Sequence, residues 1–470
     1  MLGDESSSLL NKSFHDLTSD STIEDFCIGT GHTIFEATLL PAILSAQYEI
    51  VLATCFWAPG PTLESLNLAL KQLSTRVIAS SSQRKIKVNI CLSSRSLFQK
   101  LFHTASKHGY TYPPDSWKSK LGLPSPEKIP GLQLTIKSLF FRPFSVLHSK
   151  YLIIDRRDVW LPSCNVSWEE WYECCVHLRG QVVNHVFAFW LDVWSSPDEA
   201  FDTVPQTSST SDIPLQATYP EPHSSHKTSF TTSPIIPTTL LPHPHNASIR
   251  HSLWFLPPRL TPPPQTPLNT TLLHLFNHAQ KSITILTPNF TSPPVYIALL
   301  TAISRGVNIH LITNRRMMIL EQLLTSGSIT ERWLWRLKRA YKGLLLPRQQ
   351  QSPSNEASAL ESARPGIGSL RIDIFSPPTG TSGAASAQVT REDLEAGLVG
   401  QAAAAAATTK VHIKLTMIDD EIVVLGSGNM DRASWYTSQE LGVMLRGGDV
   451  VRRMWSDVQA GLEGCLERYV

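Results

Sequence analysis

His148-Ser-Lys150-Tyr-Leu-Ile-Ile-Asp155 and His412-Ile-Lys414-Leu-Thr-Met-Ile-Asp419 repeat one pattern in the two halves of this 470-residue chain. They agree in the placing of His, Lys and Asp, and the agreement runs on. Ser163 and Asn165 follow the first Asp at the same steps at which Ser427 and Asn429 follow the second. Each copy lies in a β-like run, Leu147 to Ile154 and Val411 to Ile418. On a strand, side chains alternate between faces, so a His and a Lys two apart project together. A nucleophile or proton carrier thus stands beside a fixed positive charge. One copy alone could be a satisfied strand histidine with a lysine reaching to solvent. Two copies with matching Ser and Asn read instead as a duplicated half-site.

The duplication extends upstream. A buried strand and turn, Tyr48 to Pro59, is followed by a helical stretch, Thr62 to Leu73, and a strand, Lys85 to Leu92. The second half repeats the order with Ser282 to Thr287, a Pro-Asn-Phe turn, Val295 to Ser304 and Val307 to Thr313. A further strand precedes each motif, Leu132 to Lys137 and Leu370 to Phe375. Strand, helix, strand of this length predicts βαβ units with parallel pairing, hence an α/β fold of two tandem lobes. The lobes are expected over 1–200 and 251–470, with a Ser/Thr/Pro/His-rich linker or disordered loop, not packed structure, over 201–250. Low-complexity segments at 347–368 and 377–409 read as surface insertions around the Leu370 strand. The pairs His243/His245 and His223/His226 read as solvated linker residues, not metal ligands.

Hydrophobic content of 42% with 17% charged residues describes a globular protein diluted by polar segments. A formal net charge of +2 gives no global basic field, so attraction to phosphate has to be local. Seven scattered cysteines without a C-x-x-C pair predict a reduced, intracellular setting. The acidic N-terminus lacks an apolar signal core, and no apolar run reaches the roughly 20 residues needed to span a bilayer. The expected location is cytoplasmic or peripheral on a membrane.

Two imidazoles facing each other across a lobe interface suit a two-step displacement at phosphorus. One attacks a phosphodiester to form a phosphohistidine; the other protonates the leaving alcohol and then deprotonates the incoming water or alcohol. Lys150 and Lys414 would stabilise charge on the non-bridging oxygens, and Asn165, Asn429, Ser163 and Ser427 could donate hydrogen bonds to them. Neither a metal nor another cofactor is required by this scheme.

These residues resemble the phospholipase D superfamily, whose His-x-Lys-x4-Asp repeat they reproduce in both halves. The resemblance implies two phospholipase D-like α/β/α sandwich lobes related by pseudo-two-fold symmetry, with one active site at their interface. The cardiolipin synthase and phospholipase D-like branch is the most similar. It further implies supporting roles for Asp155 and Asp419, His148 as nucleophile and His412 as general acid. A downstream Glu that orients the motif His is implied at Glu440 in the second lobe. In the first lobe that position is Val176, and Glu173 or Glu169 nearby are the substitutes. The first copy also departs at Pro162-Ser163-Cys164, where the second keeps Gly426-Ser427-Gly428.

Aromatics beside the motifs, namely Trp168, Trp171, Tyr172, Trp435 and Tyr436, suit a lipid interface or base stacking, or are packing residues. The basic, Trp-rich stretch Glu331 to Lys342 reads as a lobe helix with a solvated basic edge, ahead of a membrane-surface helix. The expected substrate is a phospholipid, hydrolysed or transferred by a chain acting as a monomer, with a peripheral membrane surface as the further partner. A nucleic-acid phosphodiesterase is the second reading, and a catalytically weak lipid-binding or interaction protein the third.

Overall fold

The computed structural model describes residues 15–80, 84–95, 109–141, 145–195, 226–230, 234–245, 262–346, 366–377 and 408–470. Most of the two low-complexity segments, His223 and most of 201–250 lie outside the described residues. The first half supplies β1 (Thr18–Gly29), β2 (Glu49–Phe56), β3 (Ile86–Ser94), β4 (Leu132–Ser138), β5 (Tyr151–Ile154), β6 (Asp158–Pro162) and β7 (Trp171–Gly180). The second supplies β8 (Ile235–His243), β9 (Ser282–Leu286), β10 (Asn308–Thr313), β11 (Leu370–Phe375), β12 (Leu415–Ile418), β13 (Ile422–Gly426) and β14 (Glu440–Arg446).

These strands join edge to edge in the order β4-β3-β2-β5-β6-β7-β1-β8-β14-β13-β12-β9-β10-β11. Read inward from either end, the order of matching elements is the same. Among the neighbours in this order, β2-β3-β4 and β9-β10-β11 pair in parallel and the rest antiparallel. The β2–β3 pair is made by a crossover helix, α1 (Pro61–Ala79), and the β9–β10 pair by α4 (Pro293–Ser304). Between them in the chain come α2 (Gln181–Trp194) and α3 (Pro267–His278). After α4 follow α5 (Ile319–Ser326), α6 (Thr330–Leu345), α7 (Arg432–Tyr436) and α8 (Gly448–Leu462).

Helices cover both faces of the sheet. On one face each half has its own core: Leu52, Ile90, Ile136 and Leu70 in the first, Ile285, Leu311, Ile372 and Leu299 in the second. On the other face one core is shared. It joins Val176, Val186 and Trp190 to Leu240, Val443, Met454 and Val458, packing α2 and α8 side by side under the central strands. Apolar residues on both faces of the parallel strands are what such a layered arrangement needs. The fold is the expected mixed α/β sandwich.

The expectation of an unpacked linker over 201–250 is corrected where the chain is described. Residues 235–243 form β8, which pairs antiparallel with β1 on one side and β14 on the other, and His226–Ser229 adds a short strand on β1. β8 is the counterpart of β1, so the second half begins within the segment read as linker. Its prolines explain the misreading, because Pro usually excludes an interior strand. Pro237 lies where only β1 is paired and Pro242 where only β14 is, so each has one side without a neighbouring strand. His243 is correspondingly buried, hydrogen-bonded to Thr266, and His245 stacks on Phe141; neither is the solvated residue expected. Among the described residues no group of three or more His, Cys, Asp or Glu could hold a metal.

Each motif Asp is placed by the fold away from the cavity described below. Asp155 accepts the backbone N–H groups of Gln47, Tyr48 and Glu49 at 2.8, 2.7 and 2.8 Å; Asp419 accepts those of Gln280, Lys281 and Ser282 at 2.9, 2.7 and 2.8 Å. Both sit in left-handed backbone (φ 52° and 53°), followed by a second left-handed residue, Arg156 or Asp420. The three hydrogen bonds offset that strain and tie the β5–β6 and β12–β13 turns to the starts of β2 and β9. Asp155→Ala or Asp419→Ala is expected to lower unfolding stability by about 2 kcal/mol, measured by urea denaturation. The binding of ligands in the cavity by the protein that stays folded should be unchanged.

Candidate active site

The His-x-Lys segments are not themselves strand, which departs from the expected continuous β-runs. β5 begins at Tyr151 and β12 at Leu415, one residue after each Lys. Before that point the chain leaves its own half. The His148 amide donates to the Gln439 carbonyl (2.8 Å) and the His412 amide to the Tyr172 carbonyl (2.8 Å). Each lysine turns back to its own motif: Lys150 Nζ donates to the His148 carbonyl at 2.9 Å, Lys414 Nζ to that of His412 at 2.6 Å. Both lysines are buried.

The backbone crossing sets a side-chain crossing. Gln439 precedes Glu440 and Tyr172 precedes Glu173. His148 Nδ1 bonds Glu440 at 2.9 Å, and His412 Nδ1 bonds Glu173 at 2.6 Å. Glu440 therefore orients the histidine of the other half, where the resemblance had been read as placing it on its own. Glu173 fills the matching place in the first half, and Val176 lies three residues further along the strand. The register shows the match, since Ser163 N donates to the Cys174 carbonyl and Ser427 N to that of Leu441. The loop from Asn429 to Glu440 spans eleven residues and holds α7, while that from Asn165 to Glu173 spans eight. Counting residues from the motif thus pointed to Val176.

Ser163 and Ser427 are also corrected. Each hydroxyl donates to a carboxylate, Ser163 to Glu173 and Ser427 to Glu440 (2.5 Å), and accepts the next residue's N–H, that of Cys174 at 2.9 Å or Leu441 at 3.0 Å. A hydroxyl has one proton, so neither serine has a donor left for phosphate oxygens. Ser434 adds a second donor to Glu440 at 2.7 Å. The asparagines differ from each other. Asn165 accepts the Phe56 N–H through its carbonyl (3.2 Å), so its amide NH2 is left to face the cavity it lines. Asn429 donates to Asp431 at 3.0 Å.

Burial governs the charges. It lowers both imidazoles, which Lys150 and Lys414 also disfavour as cations; His412 is brought down to about 3. Burial would raise Glu173 and Glu440, but the facing imidazole and serine hydroxyl hold both below the usual carboxylate range. Each pair is thus a carboxylate accepting from a neutral imidazole, with Nδ1 as donor and Nε2 as the free lone pair. Lys414 is brought down to about 7, by burial first and then by Lys150.

His148, Asn165, His412 and Asn429 line one cavity of about 220 Å³. Its other walls are largely apolar, including Phe56, Val146, Pro288 and Met317, with Trp171 tilted against the His412 ring at 4.6 Å. Glu169 and Glu321 also line it. Glu169 makes no contact with His148 and does not substitute for Glu173; burial pushes its carboxyl up to about 7. Of the other motif aromatics, Trp168 is exposed, while Tyr172, Trp435 and Tyr436 are buried packing residues. The crossed pairing is expected to show in double-mutant cycles read by denaturant unfolding. His412→Ala should couple to Glu173→Gln by about 0.5–3 kcal/mol and be additive with Glu440→Gln.

Residues 272–460 match the family model described as cardiolipin synthase, PLD-like domain. No curated protein matches the chain in sequence. Among solved structures, phosphatidylserine synthase from Haemophilus influenzae Rd KW20 is 12% identical, covers 95% of this chain and 87% of its own, and superposes with a TM-score of 0.54. Nuc, a phospholipase D family member from Salmonella typhimurium, is 14% identical over 43% of this chain and 89% of its own, with a TM-score of 0.27. The family model falls on the half that carries the second motif, the first motif repeats the pattern of that half, and the fold of the whole chain is similar to that of the synthase: residues 272–460 are a PLD-like domain of the kind the family model describes.

Proposed function

We propose that the chain is a phospholipid phosphodiesterase or phosphatidyl transferase that works through a phosphohistidine. The observation that carries this reading is the pair of crossed imidazole–carboxylate units on one cavity, each with Nε2 free and a buried lysine beside it. His148 Nε2 attacks phosphorus, the P–N bond forms as the ester P–O bond breaks, and His412 gives its proton to the leaving oxygen. A water or alcohol then loses a proton to His412 and its oxygen displaces His148. Glu440 and Glu173 hold the two rings in the needed tautomer and take up the positive charge as each imidazole gains a bond. Lys150, Lys414 and Asn165 act on the non-bridging oxygens, and Asn429 borders the same space.

The protonation states support the sequence of events. Burial and two lysines keep both imidazoles neutral, which suits the nucleophile. A bound phosphodiester brings a negative charge between the lysines and raises both the imidazoles and Lys414. Substrate binding thereby protonates the general acid. A lipid substrate is supported by the apolar walls around the phosphate site and by the family model, whose printed description is a cardiolipin synthase domain.

The decisive assay uses vesicles of phosphatidylglycerol and phosphatidylcholine, with glycerol present. Wild type is expected to release head group or form new phosphatidyl ester, and His148→Ala and His412→Ala to lose at least about 10³-fold. Activity on single-stranded DNA with none on lipid would sink the lipid reading. Because kcat/KM reports the free protein, it should fall as pH rises through about 7, where Lys414 loses its charge; Lys414→Arg should move that limb to higher pH. Ser427→Ala removes a donor from Glu440 without touching substrate, so kcat should drop about tenfold with KM little changed.

A further inference from the structure

α5 is amphipathic in the reverse sense. An ordinary surface helix turns its apolar side inward. Here the residues buried are Gln322 and Ser326, while Met318, Ile319, Leu320, Leu323 and Leu324 are exposed, Leu320 at 72%. The orientation is held by a polar staple. Gln322 Nε2 donates to Asn289 Oδ1 (3.0 Å) and to the Met317 carbonyl, and Gln322 Oε1 accepts both N–H and O–H of Thr330 at 2.8 and 2.9 Å. The approach to the helix is also forced, with Arg316 and Met318 in left-handed backbone (φ 53° and 49°), one residue to either side of the inward-turned Met317. Two strained residues and four hydrogen bonds therefore maintain an apolar face toward solvent.

The same helix is a wall of the catalytic cavity, which Glu321, Gln322 and Thr325 line from its inner side. Leu320, Leu323 and Leu324 do not line it. Cations gather at its base. Arg315 and Lys338 both lie over the Tyr469 ring, Lys410 Nζ bonds the Arg315 carbonyl, and the Arg316 amide bonds Glu331, which precedes Arg332. An apolar ridge flanked by Arg and Lys matches an anionic lipid surface, whose head groups meet the cations while acyl chains receive the leucines. From these observations we infer that α5 seats on an anionic phospholipid bilayer and brings the mouth of the cavity to it. The inference rests on the phospholipid reading of that cavity for its purpose, though not for its test.

The experiment is co-sedimentation of the full chain with phosphatidylcholine vesicles containing phosphatidylglycerol. Wild type and His148→Ala should sediment alike, and Leu320→Glu/Leu324→Glu about tenfold less. The double variant should still cleave a short-chain phosphatidyl ester below its micelle-forming concentration as wild type does. As a second measurement, Leu320→Cys labelled with an environment-sensitive fluorophore should shift to the blue on vesicles; all seven native cysteines are buried and do not compete. A wild type that stays in the supernatant, or a double variant that sediments equally, overturns the inference. So does a wild-type dimer, seen by light scattering without lipid, that the double variant dissociates, because a second copy would then be the occupant. Vesicle binding that persists with no cleavage of detergent-dispersed phospholipid would instead remove the proposed function and leave α5 docking intact.

Discussion

Crossed hydrogen bonds, Glu173 to His412 and Glu440 to His148, tie the two halves of the chain together at their most buried charges. Two fully buried carboxylates are costly unless every oxygen is satisfied. Here each has an imidazole N–H and a serine hydroxyl; Lys414 lowers Glu173 further, and a second hydroxyl, from Ser434, lowers Glu440. Those donors come from both halves. Neither half could bury its glutamate alone, and neither could orient its own histidine, so the site and the interface between the halves are one object.

Holding that arrangement requires the halves to be registered to each other within hydrogen-bond tolerance. The sheet does this by running without interruption through the β1–β8 pair, while α2 and α8 share one core beneath it. The short parallel contacts, Leu147 with Gln439 and Trp171-Tyr172 with Lys410-Val411, then pass the register on to the two motifs. The segment that reads as the least structured part of the chain therefore supplies one of its two central strands.

What was legible followed from local chemistry. The βαβ units and the strands before each motif have residue types and spacings that arise from the core directly, and the structure places them as read. What was not legible depended on partners distant in the chain. Ser163 and Ser427 have the chemistry of phosphate donors, and only the strand register shows that buried carboxylates take their protons. Glu173 was one of two candidates because a loop three residues shorter displaces it from the spacing of Glu440. β8 carries Pro237 and Pro242, which are tolerated for want of a second neighbour at those positions, a fact of pairing invisible in composition. The assumption that His and Lys share a strand face failed for the same reason, since the motif's first residues bond across the interface and not along a strand.

The charge pattern of the site also explains why its histidines are poor bases. With Lys150 and Lys414 buried beside them, a protonated imidazole would be a third cation in a space of low dielectric, and the glutamates already spend their hydrogen-bonding capacity on neutral N–H and O–H groups. In the proposed reaction a phosphodiester would reverse the balance by placing its anion near the lysines. The proton needed by the leaving group would then become stable on the acid only when there is a bond to break. A site of this kind gains little from a metal's charge, because the cations that a metal would supply are held in the chain, and the lowered proton affinity of Lys414 makes it responsive to negative charge in the cavity.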